Sequence, residues 1–441
     1  MQPTAISQQK ILENLSIAAL NPMQQEMQNS FQQNNDLLLL SPTGSGKTLG
    51  FLLPILETLL PEKNNTQVLI LVPSRELALQ IESVFKSMKT DFGVSCCYGG
   101  HPVKIEINNL SVSPTVIIGT PGRITDHINR NSFDAATIHT IVFDEFDKSL
   151  EFGFKTDMAY IMRHLPNLQK RVLTSATQAV EIPDFVGVKN LLTLNYLQQT
   201  NQSAGLKLRI VHSEDTDKLA TFLRLIGSFL TDEQTIVFCN HREVVERISN
   251  HLNAHDIINE SYHGGLDQQQ RELALCKFRN GSVNMLITTD LASRGLDISN
   301  IANIVHYQKP HTEETYIHRN GRTARMGKEG NAFLMLTDEE KMPEYIAENT
   351  ETQLIETNNT VHAKPKWVTL NINRGKKDKV NKTDIVGFLS KVGKLEKDEL
   401  GIIEVKDFCA YPAVLRSKVK SVLKNIDGAK IKGKAVKITI A

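Results

Sequence analysis

The chain has 441 residues, of which 40% are hydrophobic and 22% charged, and its formal net charge is +1. At roughly 150 residues per domain this length accommodates about three domains, and the balance excludes a largely disordered chain. No uninterrupted apolar run approaches the ~18–20 residues of a membrane-spanning helix, which excludes that class of function.

The N-terminus, M-Q-P-T-A-I-S-Q-Q-K, is polar and lacks the basic-then-apolar layout of a signal peptide, so a cytoplasmic location is expected. Strands are predicted at 37–40, 68–72, 116–119 and 140–143, with helix-like stretches such as 75–88 between them. A second series starts near Leu206, with strands at 235–239, 284–288 and 304–307, after a connection over 190–205. Apolar strands alternating with amphipathic stretches indicate α/β architecture with parallel sheets. The expected division is 1–200 and 206–343 for two tandem α/β domains, 344–364 for a polar linker, and 365–441 for a small α+β tail. The tail reads strand 367–372, helix 383–392, strands 402–405 and 409–414, helix 417–426, strand 435–440. That β-α-β-β-α-β order is the ferredoxin-like arrangement of RNA-recognition modules.

Charge is segregated along this layout. From residue 361 onward there are 19 Lys and Arg against 8 Asp and Glu, leaving 31 basic and 41 acidic residues before it. An acidic body with a basic tail points to a polyanionic partner held by the C-terminus. The cysteines Cys96, Cys97, Cys239, Cys276 and Cys409 form no C-x-x-C pair, which fits a reducing compartment rather than a disulfide or zinc framework.

Three clusters carry chemistry. S-P-T-G-S-G-K-T at 41–48 directly follows the first strand. Gly44 and Gly46 let backbone N–H groups turn inward on phosphate oxygens, with Thr43 and Ser45 in the same loop. Lys47 supplies charge to the β/γ-phosphates and the Thr48 hydroxyl suits Mg²⁺. A plain Gly/Ser turn opening a helix is the bland alternative, disfavoured by the strand before it. About a hundred residues on, T-I-V-F-D-E-F-D ends a strand in acids, where a nucleotide's metal must be held. Asp144 is expected to hold Mg²⁺ and Glu145 to polarise the attacking water. In H-R-N-G-R-T-A-R at 318–325, Arg319, Arg322 and Arg325 recur every three residues and are read as sharing one helix-like face. Surface ion pairing would make them energetically minor; the functional reading has arginines of the second domain stabilise charge on the γ-phosphate.

At this point residues 15–340 resemble the DEAD-box RNA helicases. P-S-R-E-L-A-L-Q at 73–80, Gly99-Gly100, T-P-G-R at 120–123, S-A-T at 175–177, V-F-C-N at 237–240, the Gln268 to Arg271 spacing and T-T-D-L-A-S-R-G-L-D at 288–297 follow the family's order. The resemblance implies two RecA-like domains, an RNA-stimulated ATPase that unwinds or remodels RNA, and ATP with Mg²⁺ as cofactors. It implies catalysis by Lys47, Glu145, Arg322 and Arg325, and Gln24 of L-N-P-M-Q as the adenine reader, with Gln25 as its neighbouring rival. Asp297 is implied for the ribose, and Asp147, Ser175 and Thr177 for coupling hydrolysis to unwinding. Arg75, Gly100, Thr120, Arg123, Arg271 and Thr289 are implied for RNA. The sequence departs from the family at Phe146, where Ala is usual and packing behind the metal site is expected. It also departs at Ser7, where an adenine-stacking aromatic has no counterpart, and at Asn320 and Ala324.

The tail resembles the C-terminal RNA-binding domain of DbpA-type bacterial helicases through R-G-K-K-D-K-V at 374–380, D-I-V-G-F-L at 384–389 and, more loosely, E-V-K-D-F-C-A-Y-P-A-V at 404–414. That resemblance implies a large-subunit ribosomal RNA hairpin as partner, within pre-ribosomal particles. Lys376, Lys377 and Lys379 are the expected phosphate grips, and Phe408 and Tyr411 the aromatics available for stacking. The tail is read as a tether that raises local RNA concentration. An ATP-gated RNA clamp with little unwinding, and a general remodelling helicase without ribosomal specificity, remain as competing readings.

Overall fold

Strands form where short aliphatic runs lie between one-sided helices, and the first such run positions everything that follows. A computed structural model describes residues 7–61, 65–100, 102–178, 181–197, 205–214, 216–229, 232–293, 301–324, 329–355 and 364–441. Among these, the first sheet comprises β1 (Asp36–Leu40), β2 (Val68–Leu71), β3 (Val94–Cys97), β4 (Val116–Gly119), β5 (Thr140–Phe143), β6 (Lys170–Ser175) and β7 (Leu191–Asn195). The order is β3-β4-β2-β5-β6-β1-β7, with every pairing parallel. β1 is buried at all positions. Its side chains alternate, Leu37 and Leu39 into one core, Leu38 and Leu40 into another on the opposite face. Burial on both faces is why the strand reads as a continuous apolar run.

The second sheet comprises β8 (Leu206–Ser213), β9 (Thr235–Phe238), β10 (Glu260–Tyr262), β11 (Met285–Thr288), β12 (Asn303–His306) and β13 (Gly330–Thr337), in the order β10-β11-β9-β12-β13-β8, again parallel throughout. No helix occurs among the described residues of 344–364. Instead Ile210 N donates to Glu351 O at 2.9 Å and Gln353 N donates to Ile210 O at 2.8 Å, so this stretch runs along the outer edge of β8. Ile346 is buried with Ile210, Leu334 and Leu336.

In the tail, β14 (Trp367–Ile372), β15 (Leu400–Val405) and β16 (Ala410–Leu415) precede a hairpin of β17 (Lys430–Ile431) and β18 (Lys434–Ala435), then β19 (Ile438–Ile440). The antiparallel sheet runs β15-β16-β14-β19. The hairpin takes the start of the predicted final strand. Helices Lys382–Lys391 and Val419–Asn425 cover one face, burying Leu370, Ile372, Phe388, Val414 and Val422. Among the described residues no helix is long and apolar enough to cross a membrane.

The second domain encloses His306. Its ring is stacked between Phe238 and Tyr316, and its Nε2 faces Asn320 Oδ1 at 3.0 Å. Burial, and then the nearby Arg319 charge, push its pKa down from 6.5 to about 3. Between those values the unfolded chain binds the proton and the native chain does not. The resulting stability is therefore present above pH 6.5 and lost as pH falls. It should shrink by about 2 kcal/mol between pH 7 and pH 5. His306→Gln should flatten that part of the profile, measured as urea midpoints at the two pH values. Identical pH slopes for variant and parent would contradict this account.

Candidate active site

β1 delivers the chain into the loop 41–46, and the helix Lys47–Thr58 begins on its far side. Gly46 is the helix N-cap at φ +89°, in the left-handed region, and a Cβ there would overlap the Gln24 amide. Gln24 is itself fixed: its Oε1 accepts from Asn21 N at 3.0 Å and its Nε2 donates to Gly46 O at 3.1 Å. Asn21 caps the helix Pro22–Gln33 and donates through Nδ2 to Ser45 O at 2.9 Å. Gln25 instead turns to Leu20 O. Of the two amides, Gln24 is therefore the one turned toward the phosphate loop. Lys47 Nζ donates to Ser41 O at 2.6 Å and Pro42 O at 3.1 Å, holding an ammonium inside the loop. Thr43 and Thr48 are half-buried and Gly44 is exposed at φ +82°. A left-handed glycine turn at a helix N-terminus, with a lysine held in its bowl, is chemically suited to phosphate. Ser7, at the position without an aromatic, caps the helix Gln8–Asn14.

Asp144 follows β5 and is 3% exposed. Burial pushes its carboxyl pKa up, opposed by the Thr174 hydroxyl and the Lys47 charge. Thr174 Oγ1 donates to Asp144 Oδ1 and accepts from Glu145 N at 3.1 Å. The sequence reading missed Thr174, which has no motif of its own and arrives from the neighbouring strand β6. Glu145 adopts φ +51°, a strained conformation for a residue with a side chain, at the turn into the helix Phe146–Glu151. Phe146 is fully buried, edge-to-face with Phe143 at 5.4 Å between centroids, as expected of a packing residue. Thr177 Oγ1 donates to Asp147 Oδ2 at 3.4 Å, and Thr177 N donates to Ser175 Oγ at 3.0 Å, so these three residues form one cluster.

The first domain also gathers its predicted RNA residues. Arg75 Nη1 donates to Gly99 O at 3.3 Å, and Gly100 lies against the same guanidinium. Thr120 is the N-cap of the helix Pro121–Asn129, which carries Arg123. Glu106, absent from the sequence-level assignments, ties these segments together. Fully buried, it accepts from Tyr98 N at 2.8 Å and Arg123 Nη1 at 2.7 Å, and meets His127 Nε2 at 2.6 Å. Nothing in its local sequence marks it.

Three family descriptions match the chain in order: DEAD/DEAH box helicase at 21–185, Helicase conserved C-terminal domain at 217–327, and DbpA RNA binding domain at 369–440. The chain is 30% identical to the ATP-dependent RNA helicase DbpA of Bacillus subtilis (strain 168), across 98% of its own length and 97% of that protein. It belongs to the DEAD-box RNA helicases, of the DbpA type. This DEAD-box helicase is also 33% identical to the DEAD-box ATP-dependent RNA helicase CshA of Bacillus subtilis (strain 168), across 75% of its own length and 68% of the relative. Among solved structures it resembles S. cerevisiae Dbp5 bound to RNA and ADP BeF3, with a TM-score of 0.65 and 27% identity over 75% of this chain and 88% of that one. Both parallel-sheet domains are RecA-like, and the protein is an ATP-dependent RNA helicase with RNA-stimulated ATP hydrolysis.

In this helicase Arg319 and Arg322 do not share a helical face. The helix Glu313–Asn320 ends after Arg319, and Arg322 lies beyond the end, buried in a turn. Arg325 and Asp297 lie outside the described residues. Arg319 is fully buried. Its Nε and Nη2 donate to Asp290 Oδ1 and Oδ2 at 2.6 and 3.1 Å, its Nη2 to Asn240 Oδ1 at 2.8 Å, and its Nη1 to Gln308 O at 2.9 Å. It therefore joins three motif segments of the second domain. Arg271 is 9% exposed on the helix Gln268–Arg279, and Thr289 N donates to Tyr262 O at 3.4 Å just past β11.

The helicase's tail lysines are exposed on the turn around Lys376–Asp378. Lys376 N donates to Lys406 O at 2.8 Å and Lys377 N to Asp407 O at 2.9 Å. The β17–β18 hairpin adds two lysines that sequence spacing could not reveal. Lys432 Nζ donates to Lys379 O at 2.6 Å, and Lys434 Nζ to Asp378 Oδ1 at 3.1 Å. Phe408, in the adjoining loop, is 66% exposed, whereas Tyr411 is 4% exposed. Of the two aromatics named for stacking, only Phe408 faces solvent.

Proposed function

We propose that this helicase remodels large-subunit ribosomal RNA during ribosome assembly in the cytoplasm, its tail gripping a ribosomal hairpin while the RecA-like domains act on duplex nearby. The observation that carries the reading is the convergence of Lys376, Lys377, Lys379, Lys432 and Lys434 beside an exposed aromatic in the tail. Phosphate neutralisation with a stacking platform is how a small module holds structured RNA. We assign ATP binding to residues 1–200, the second helicase domain to 206–343, the linker to 344–364 and RNA anchoring to 365–441.

Within the site, Lys47 and the N–H groups around Thr43, Gly44, Ser45, Gly46 and Thr48 hold the phosphates, and Gln24 reads the adenine. Asp297 takes the ribose. Thr48 and Asp144 would hold Mg²⁺; Asp144 suits a divalent cation because burial disfavours its charge without one. When bound, the ion supplies charge neutralisation at the β- and γ-phosphates. Glu145 orients the attacking water, and Arg322 and Arg325 stabilise charge on the transferred phosphoryl group. Asp147, Ser175 and Thr177 couple hydrolysis to movement. Arg75, Gly100, Thr120, Arg123, Arg271 and Thr289 hold the RNA backbone.

The test uses the full chain. Replacing Lys376, Lys377 and Lys379 together by Ala should shallow the log-affinity against log-salt slope by about 2–3 units. It should weaken binding to a ribosomal hairpin and to a length-matched RNA by the same factor, leaving the parental preference for the hairpin and basal ATP hydrolysis intact. Equal parental affinity for both RNAs at physiological salt would reduce the tail to a general anchor.

A further inference from the structure

The tail sheet has two faces, and the helices cover only one. Alternation along β14, β15 and β16 puts Leu370, Ile372, Ile403, Ala410 and Val414 in the tail core. Trp367, Thr369, Glu404 and Tyr411 then belong to the opposite face. In RNA-recognition modules that open face is where bases stack. Here it is covered by the C-terminal end of the helix Gln268–Arg279 and the turn that follows it in the second RecA-like domain.

At the centre is a buried polar chain. Thr369 Oγ1 accepts from Asn280 Nδ2 at 2.8 Å and donates to Ser282 Oγ at 2.8 Å, and all three residues are buried. Beside it Arg279 grips Glu404 as a fork, Nε to Oε1 at 2.9 Å and Nη2 to Oε1 and Oε2 at 2.7 and 2.9 Å. Such a bidentate pair fixes orientation as well as distance. Burial would raise the Glu404 pKa, but Arg279 and Lys406 hold it below the ordinary carboxylate value. The Tyr411 hydroxyl meets the Gln269 side chain. The Trp367 ring packs closely on Gly281 from the domain and Gly401 from its own sheet, where an added Cβ would sit 3.3 Å from the ring. Satisfied buried polar groups specify one arrangement, because each loses its partner if the surfaces slide.

We propose that the open face of the tail sheet is a docking surface for the second RecA-like domain, making the tail a rigid extension of that domain. RNA held by the tail is then carried by every movement of the domain, not merely kept in its neighbourhood. This last consequence rests on the RNA binding proposed above; the docking does not. It also leaves the exposed lysine turn and Phe408 as the surface available to RNA.

Trp367 is the only tryptophan in the chain and reports directly on the docking. In the full-length protein, its fluorescence should resist acrylamide quenching. Arg279→Glu sets two carboxylates against each other and should shift the emission to the red and raise quenching toward that of unfolded protein, with the circular dichroism unchanged. Adding Glu404→Arg restores the pair with reversed charge and should reverse both changes. Strand displacement on a duplex joined to a ribosomal hairpin should fall about tenfold in Arg279→Glu, matching the coupling expected of contacting groups. A parental Trp367 quenched as readily as in urea, or quenching unaltered by Arg279→Glu, overturns the docking. Loosened docking with unchanged strand displacement overturns the mechanical link. Loss of hairpin preference in the parent would instead sink the proposed RNA target and leave the quenching result standing.

Discussion

Glu145→Gln should retain ATP binding and lose its hydrolysis. The amide keeps the size and polarity of the carboxylate but cannot draw a proton from water. The loss expected for one positioned acid–base group is ~10²–10⁴-fold in turnover. The backbone around it makes a local collapse an unneeded explanation. Glu145 N is tied to Thr174 Oγ1 at 3.1 Å, and that bond does not involve the side chain. The φ of +51° at this position is no more strained for Gln than for Glu. Single-turnover phosphate release, beside equilibrium binding of a fluorescent ATP analogue, separates the two steps. Hydrolysis at the parental rate would remove Glu145 from the chemistry. Weakened nucleotide binding of the same size would make it a binding group instead.

What the sequence made legible followed from covalent neighbours. The phosphate loop is one contiguous segment, so the left-handed turn at Gly46 and the placing of Lys47 could be read from S-P-T-G-S-G-K-T. Strands buried on both faces were equally plain, since β2 and β4 are continuous apolar runs and β1 and β5 become so after one polar residue each, Asp36 and Thr140. The edge strand β7 was not. It is half-buried and lies in the stretch read as a connection, because an edge position does not demand an unbroken apolar run. Thr174, Glu106, Lys432 and Lys434 were hidden for a different reason. Each acts on a segment far away in the chain, and a single polar residue carries no sign of which strand or hairpin will bring it there. The docked tail is the strongest case. Thr369 and Glu404 look like ordinary strand residues until Asn280 and Arg279 lie against them.

Arg319→Ala should unfold the second domain more readily rather than merely slow the chemistry. Three equally spaced arginines look like one functional face, yet Arg319 is fully buried and its hydrogen bonds go to Asp290, Asn240 and the Gln308 carbonyl. Removing it strips the donors from Asn240, the Gln308 carbonyl and Asp290, whose carboxylate is 37% exposed and can still be hydrated, so the cost is about 2–3 kcal/mol rather than that of a fully buried pair. For a domain of this size that corresponds to a fall in melting temperature on the order of 10 °C. Arg319→Lys keeps the charge but not the fork. One ammonium cannot span a carboxylate, an amide and a carbonyl at the geometry of a guanidinium, so it should recover only part of the loss. Thermal unfolding of the full chain, followed beside ATP turnover at a temperature where each variant remains folded, distinguishes the two roles. A large fall in melting temperature with turnover largely retained in the folded fraction assigns Arg319 to holding the V-F-C-N, T-T-D and H-R-N-G-R segments in register. An unchanged melting temperature with abolished turnover would place it at the phosphates and return the triplet to the single functional face that its spacing implied.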